Sequence, residues 1–127
     1  MQQQKNTDKI LIDANVFLRF LLNDNEEQAK KAKEVILGGN CILMPEVLAE
    51  VVYVLSKVYG VSRSDVSTSI KKTLPRIYIE NYPVIEKALD NYEFTKLDFV
   101  DCILLSYNRV ENSQIFTFDK ELSKKLA

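Results

Sequence analysis

Four carboxylates sit in apolar settings. Asp13 closes Lys9-Ile10-Leu11-Ile12, Glu50 lies inside Val47-Leu48-Ala49-Glu50-Val51-Val52, Asp101 follows Asp98-Phe99-Val100, and Asp119 follows Phe116-Thr117-Phe118. Gathered without basic partners, such groups would repel one another and take up protons. A divalent cation reverses that balance and keeps them ionised. An all-oxygen donor set suits Mg²⁺ or Mn²⁺ better than zinc. The chemistry natural to those ions is phosphodiester hydrolysis, with a water activated and charge on the leaving oxygen neutralised. The sequence contains no histidine, which excludes Ser-His-Asp and Cys-His mechanisms and leaves carboxylates, lysine or a hard metal to act.

Each acid also has a structural reading. Asp13 and Asp119 both stand where a strand gives way to a helix, and Asp is a favoured N-cap. As a pair they say more, because two strand-end carboxylates in a parallel sheet emerge on the same edge. Asn15 is a second polar group at that edge or a first-turn residue. Asp101 shares a helical stripe with Leu104 and Leu105, a costly place for a carboxylate unless it is paired or binds a cation. The competing reading for Asp101 is a buried ion pair with Lys or Arg. Asp98 reads first as the N-cap of that helix, with Asp101 answering it as in a capping box, and second as a supporting site residue. Glu50 borders a broad apolar face, where a solvated flank position is its alternative. Glu46, one turn earlier, suits a first helical turn.

The elements that must position these residues follow from periodicity. Lys9–Asp13 reads as a buried strand, Ala14–Leu22 as a helix with Phe17, Phe20 and Leu21 on one side, and Asn25–Leu37 as a helix stopped by Gly38-Gly39. Asn40–Met44 is a second strand, and Pro45 opens a helix to about Tyr59, where Gly60 ends it. Ser62 caps a helix from Arg63 to about Leu74. Ile77–Ile79 is a third strand, Pro83 to about Tyr92 a helix, Phe99–Val110 a helix, Gln114–Phe118 a strand, and Lys120–Leu126 a terminal helix. Strands alternating with helices predict a parallel sheet covered on both faces.

The 127 residues suffice for one domain with one core, and a polar tail is expected over residues 1–8. That start lacks an apolar leader segment, and no apolar run approaches membrane-spanning length, so a cytoplasmic location is expected. Cys41 and Cys102 form no C-x-x-C pair and read as buried, reduced thiols. With 17 basic and 18 acidic residues, bulk charge does not point to nucleic acid.

In four segments the sequence resembles the PIN-domain family, and within it the VapC-like toxins of toxin–antitoxin pairs: Ile10–Leu18, Val47–Leu55, Asp98–Leu104 and Phe116–Lys120. They follow the family's order and spacing over nearly the whole chain. The resemblance implies a three-layer α/β/α sandwich around a parallel sheet and an Mg²⁺- or Mn²⁺-dependent ribonuclease. By matching positions, Asp13, Glu50, Asp101 and Asp119 would be the catalytic, metal-binding carboxylates. Thr117 falls where the family often has a hydroxyl near the site, and Asp98 matches a second acid found in some members. The resemblance also implies a homodimer, an RNA substrate and a cognate antitoxin protein that wraps the toxin.

Phosphate contact requires cations near the acids. Arg19 and Lys120 are candidates by proximity, with Lys30, Lys31 and Lys33 and the group Arg63, Lys71, Lys72 and Arg76 as a candidate rim; for each, ordinary solvated surface charge is the preferred reading. Two other functions compete. A receiver-like phosphoacceptor domain needs an acceptor Asp on a middle strand, and Ile42-Leu43-Met44 and Ile77-Tyr78-Ile79 end without one. A non-catalytic PIN-like binding module would have lost one or more of the acids, and all four remain.

Overall fold

The computed structural model describes residues 8–126; the tail expected over residues 1–8 therefore lies outside the described residues except for Asp8. The first strand, β1 (Ile10–Leu11), pairs in parallel with β2 (Cys41–Ile42), Ile10 opposite Cys41 and Leu11 opposite Ile42. Tyr78 extends the sheet by one parallel bridge to Ile42, with Leu43 N–H donating to the Tyr78 carbonyl and Tyr78 N–H to that of Cys41. Parallel pairing needs crossovers, and helices supply them: α1 (Ala14–Leu22) and α2 (Glu26–Ile36) between β1 and β2, then α3 (Pro45–Lys57) and α4 (Arg63–Thr73) with a 3-10 turn, Leu74–Arg76. Next come α5 (Tyr82–Phe94), α6 (Phe99–Glu111) and α7 (Lys120–Lys125). The expected α/β class with a parallel sheet is what forms.

Local chemistry sets the boundaries. Asp13, Asn25, Ser62 and Asp119 each accept a backbone N–H with their side chains at the start of a helix. Pro45 takes the first turn of α3, where no N–H is required. Asn23 and Asn112 end α1 and α6 in the left-handed region, which Asn tolerates better than most residues. Phe17, Leu43, Leu48, Val51, Ile70, Leu89 and Leu105 are among the fully buried side chains of a single cluster that draws on all the longer helices. Cys41 and Cys102 lie in that cluster as free thiols. Burial pushes the Cys102 thiol up to about 11, so it stays protonated and inert.

Two strand expectations are corrected. Ile77–Ile79 contributes only the Tyr78 bridge. Gln114–Phe118 forms no strand, because alternation makes a segment extended but a ladder also needs a partner backbone. Its alternation is real in the opposite phase to apolarity: Ile115 and Thr117 are half-buried, whereas Phe116 and Phe118 are 87% and 90% exposed and pack edge-to-face on each other. That phase turns Thr117 inward. The apolar strand Lys9–Asp13 is likewise more open than expected, with Ile12 buried but Ile10 and Leu11 exposed.

Candidate active site

Asp13 follows the β1 segment and occupies the N-cap of α1. Its Oδ1 accepts the Val16 N–H at 3.0 Å. Asp119 stands in the same relation to α7, with Oδ1 accepting the Leu122 N–H at 2.8 Å. The capping reading is thus correct for both, and it does not exclude the other. Each cap uses one carboxylate oxygen, and the second makes no hydrogen bond among the described residues. Thr117 fixes the turn into α7: its Oγ1 accepts the Asp119 N–H at 3.0 Å, a local hydroxyl turn that aims the next carboxylate.

Asp98 also occupies an N-cap position, at α6, yet its side chain makes no capping bond. Only its backbone carbonyl takes part, accepting the Cys102 N–H at 3.0 Å. The capping-box expectation for Asp98 and Asp101 is therefore corrected, and the Asp98 carboxylate is exposed and available. Asp101 lies in the first turn of α6, half-buried. Burial pushes its carboxyl above the usual Asp range, and the charges of Asp119 and Asp98 add to that push. The charges of acids from two separate parts of the chain, α6 and the start of α7, thus act on Asp101.

The ion pair weighed as an alternative for Asp101 does not form. The salt bridges among the described residues are Arg19–Asp24, Lys71–Asp90 and Lys124–Glu121, so Asp13, Glu50, Asp98, Asp101 and Asp119 all lack a cationic partner there. Glu50 is exposed on α3, and neither it nor Asp13 is among the charges that act on Asp101. The two candidate cations differ. Arg19 is held by Asp24 at 2.7 Å and by the Tyr59 hydroxyl at 3.3 Å, and its guanidinium is raised by these contacts. Lys120 is exposed beside Asp119 without a partner among the described residues. Asn15 lines a separate hollow between α1 and α2, with Arg19, Gln28 and Lys31.

A cleft of about 540 Å³ opens between α3 and the start of α6. One face of α3 supplies Ala49, Val52, Tyr53, Ser56 and Lys57; α6 and its cap supply Asp98, Phe99, Val100 and Asp101. Arg63 and Tyr92 complete the lining. Arg63, expected as surface charge, is turned inward: Nη1 donates to the carbonyls of Tyr92 and Leu97, both at 2.9 Å, and the guanidinium stacks 4.1 Å from the Tyr92 ring centroid. It ties down the end of α5 and the residue before Asp98. Tyr53 and Lys57 were missed by sequence reasoning, although their i+3 and i+7 offsets from Glu50 on one helix were a usable signal.

The donor chemistry fits a hard divalent cation, since every candidate ligand is a carboxylate oxygen without a competing ammonium or guanidinium. The side chains do not stand as a closed coordination shell: among the described residues no three acids lie close enough to form a metal-holding group.

Comparison with known proteins gives one finding. The PIN domain family model matches residues 10–125. Neither a curated protein nor a solved structure gives a significant match. No helix of the described residues is long and apolar enough to cross a membrane.

Proposed function

Because the chain belongs to the PIN-domain family, whose members are generally nucleases that use divalent metal ions, we propose that it is an Mg²⁺- or Mn²⁺-dependent endoribonuclease. The observation that carries this reading is the half-buried Asp101, on which the charges of Asp119 and Asp98 act and which has no cationic partner among the described residues. A half-buried acid held next to like charges is destabilising in the bare protein, and a bound cation is the ordinary remedy. Asp101 and Asp119 would hold the ion, with Asp13 and Glu50 completing the set from α1 and α3. When bound, it supplies Lewis acidity toward a phosphate oxygen and a more acidic water.

The chain's own residues do the rest. Asp13 and Asp119 are oriented by their cap bonds, so their second oxygens are presented with little rotamer freedom to lose. Thr117 fixes the approach of Asp119. Asp98, freed from capping, is placed to accept a hydrogen bond from a water or a substrate hydroxyl. Lys120 is the available cation nearest in sequence to these acids for a phosphate.

A toxin role with a cognate antitoxin, a homodimeric state and a cytoplasmic setting extend this proposal through the family resemblance. Incubation of the purified chain with single-stranded RNA tests the core of it. Cleavage is expected with Mg²⁺ or Mn²⁺, none in chelator, and loss in Asp101→Asn. Cleavage that persists in chelator and in the variant would sink it. RNA binding without cleavage would establish the non-catalytic module instead, a reading favoured by the absence of a closed metal group among the described residues.

A further inference from the structure

We propose that the cleft between α3 and α6 is a nucleobase subsite, in which a base of single-stranded RNA stacks on Tyr53 while Lys57 meets the adjoining phosphate. This rests on the ribonuclease reading and adds to it a place for the base. The cleft is continuous with the acids, since Asp98 and Asp101 form part of its wall. Its volume of about 540 Å³ falls in the range of small-molecule sites. Tyr53 is 63% exposed and Val100 57% exposed, both in this lining. Exposed apolar side chains in the lining of one cleft mark a surface that receives something.

The chemistry selects the occupant. An exposed aromatic ring at Tyr53, a hydroxyl from Ser56 and an ammonium from Lys57 lie along one face of α3, each successive residue further toward its C-terminus. From Glu50 to Lys57 the helix rises by roughly 10 Å, at about 1.5 Å per residue. A single strand presents bases and phosphates on that scale. Lys57 has no ion-pair partner among the described residues, so its charge is available. Aromatic stacking tolerates any base and needs the base out of a duplex; duplex RNA would bring only its backbone to such a cleft. Arg63, fixed behind the cleft on two carbonyls and the Tyr92 ring, keeps the wall rigid.

The test uses the full chain, a short fluorescent single-stranded RNA and the same strand with its bases removed, read by anisotropy with Ca²⁺ present, alongside cleavage with Mn²⁺. Tyr53→Ala is expected to weaken binding of the intact strand about 5- to 150-fold, the range for loss of one stacked base, and to leave the base-free strand unchanged. Tyr53→Phe should bind as the wild type does. Lys57→Gln should weaken both strands and reduce the salt slope by about 0.7, one phosphate contact on a single strand. Thermal melts confirm that these exposed positions leave the fold intact. If the wild type cleaves RNA but Tyr53→Ala binds both strands normally, the subsite is wrong and the nuclease reading stands. A wild type that neither binds nor cleaves overturns both. A change in oligomeric state on sedimentation, with RNA affinity unchanged, would make the cleft a self-association face and overturn the subsite.

Discussion

Asp13, Asp98, Asp101 and Asp119 lie at the cap or in the first turn of α1, α6 and α7. Lys33, Lys72 and Arg76, by contrast, lie in the last turns of α2, α4 and the 3-10 segment, where with Phe20 and Asn23 they line a second cleft of about 570 Å³. Helix dipoles favour both placements, anions at N-termini and cations at C-termini. A formal net charge of −1 conceals this separation. The two regions differ in what the backbone satisfies. The basic cleft needs nothing beyond helix C-termini and solvent. At the acidic end Asp13 and Asp119 are satisfied through one oxygen each, but Asp101 is pushed toward its protonated form despite standing at the favourable end of its helix. An acid at a helix start is therefore no sign of a site by itself, and Asp101 is set apart from the other three by the resistance its charge meets.

The largest expected effect breaks the comparison by activity. Asp101→Asn should lower RNA cleavage at least about 100-fold, the scale on which loss of even an outer partner of a metal site is felt. The double variant Lys72→Gln and Arg76→Gln should stay within about threefold of the wild type. Comparable losses in both would show that the basic cleft belongs to the working site.

Next in size is the separation of cap from charge. Asp119→Ala removes both, and loss of such a cap costs about 0.5–2 kcal/mol. Asp119→Asn keeps a good cap and removes the charge, so urea denaturation should show near wild-type stability while cleavage falls as it does for Asp101→Asn. Asp13 should behave in parallel on α1. If Asn is as destabilising as Ala, the charge and not the hydrogen bond holds the helix.

Those caps also show how far the sequence could be read. The residues Asp13, Asn25, Ser62 and Pro45 announce helix starts through chemistry confined to a few neighbours, and the structure places α1 over the residues that periodicity indicated, Ala14–Leu22. The acids were singled out by an equally local conflict, charge set in apolar sequence. What was not legible depends on distant partners. Whether Gln114–Phe118 becomes a strand is decided by the backbone beside it, and alternation alone does not say which face turns inward. Asp98 has the signature of a cap and does not act as one. Arg63 looks like surface charge until the end of α5 is laid against it. The α3 face carrying Tyr53 and Lys57 gained meaning only when α6 was placed opposite.

A smaller effect sharpens the electrostatic side of the comparison. In the folded chain the Asp101 carboxyl is raised above its unfolded value by burial and by Asp119 and Asp98. The folded state thus binds the proton more tightly, and the stability this confers is full below the unfolded pKa and lost as pH rises through the folded one. In chelator, Asp101→Asn should therefore gain on the wild type between acid and neutral pH, by less than about 1 kcal/mol because the group is half exposed and screened. Added Mn²⁺ should raise the melting temperature of the wild type at pH 7 and leave the variant nearly unmoved. A wild type that gains on the variant as pH rises in chelator would mean that the acids at this end are not in conflict.

The smallest effect concerns Arg19, which begins in the same helix that Asp13 caps and yet is drawn away from the acids. Its side chain is only 16% exposed, paired with Asp24 at 2.7 Å and with the Tyr59 hydroxyl. Asp24→Asn removes the more exposed partner, 41% open to solvent, of a pair whose attraction is partly screened, a change worth about 1 kcal/mol. The guanidinium still has Tyr59, so stability should fall slightly and RNA cleavage should stay at the wild-type rate. A rise in RNA affinity with a steeper salt dependence would instead show that Asp24 holds Arg19 back from the phosphates. The separation between the acidic end and the cations around it would then be adjustable by a single pair.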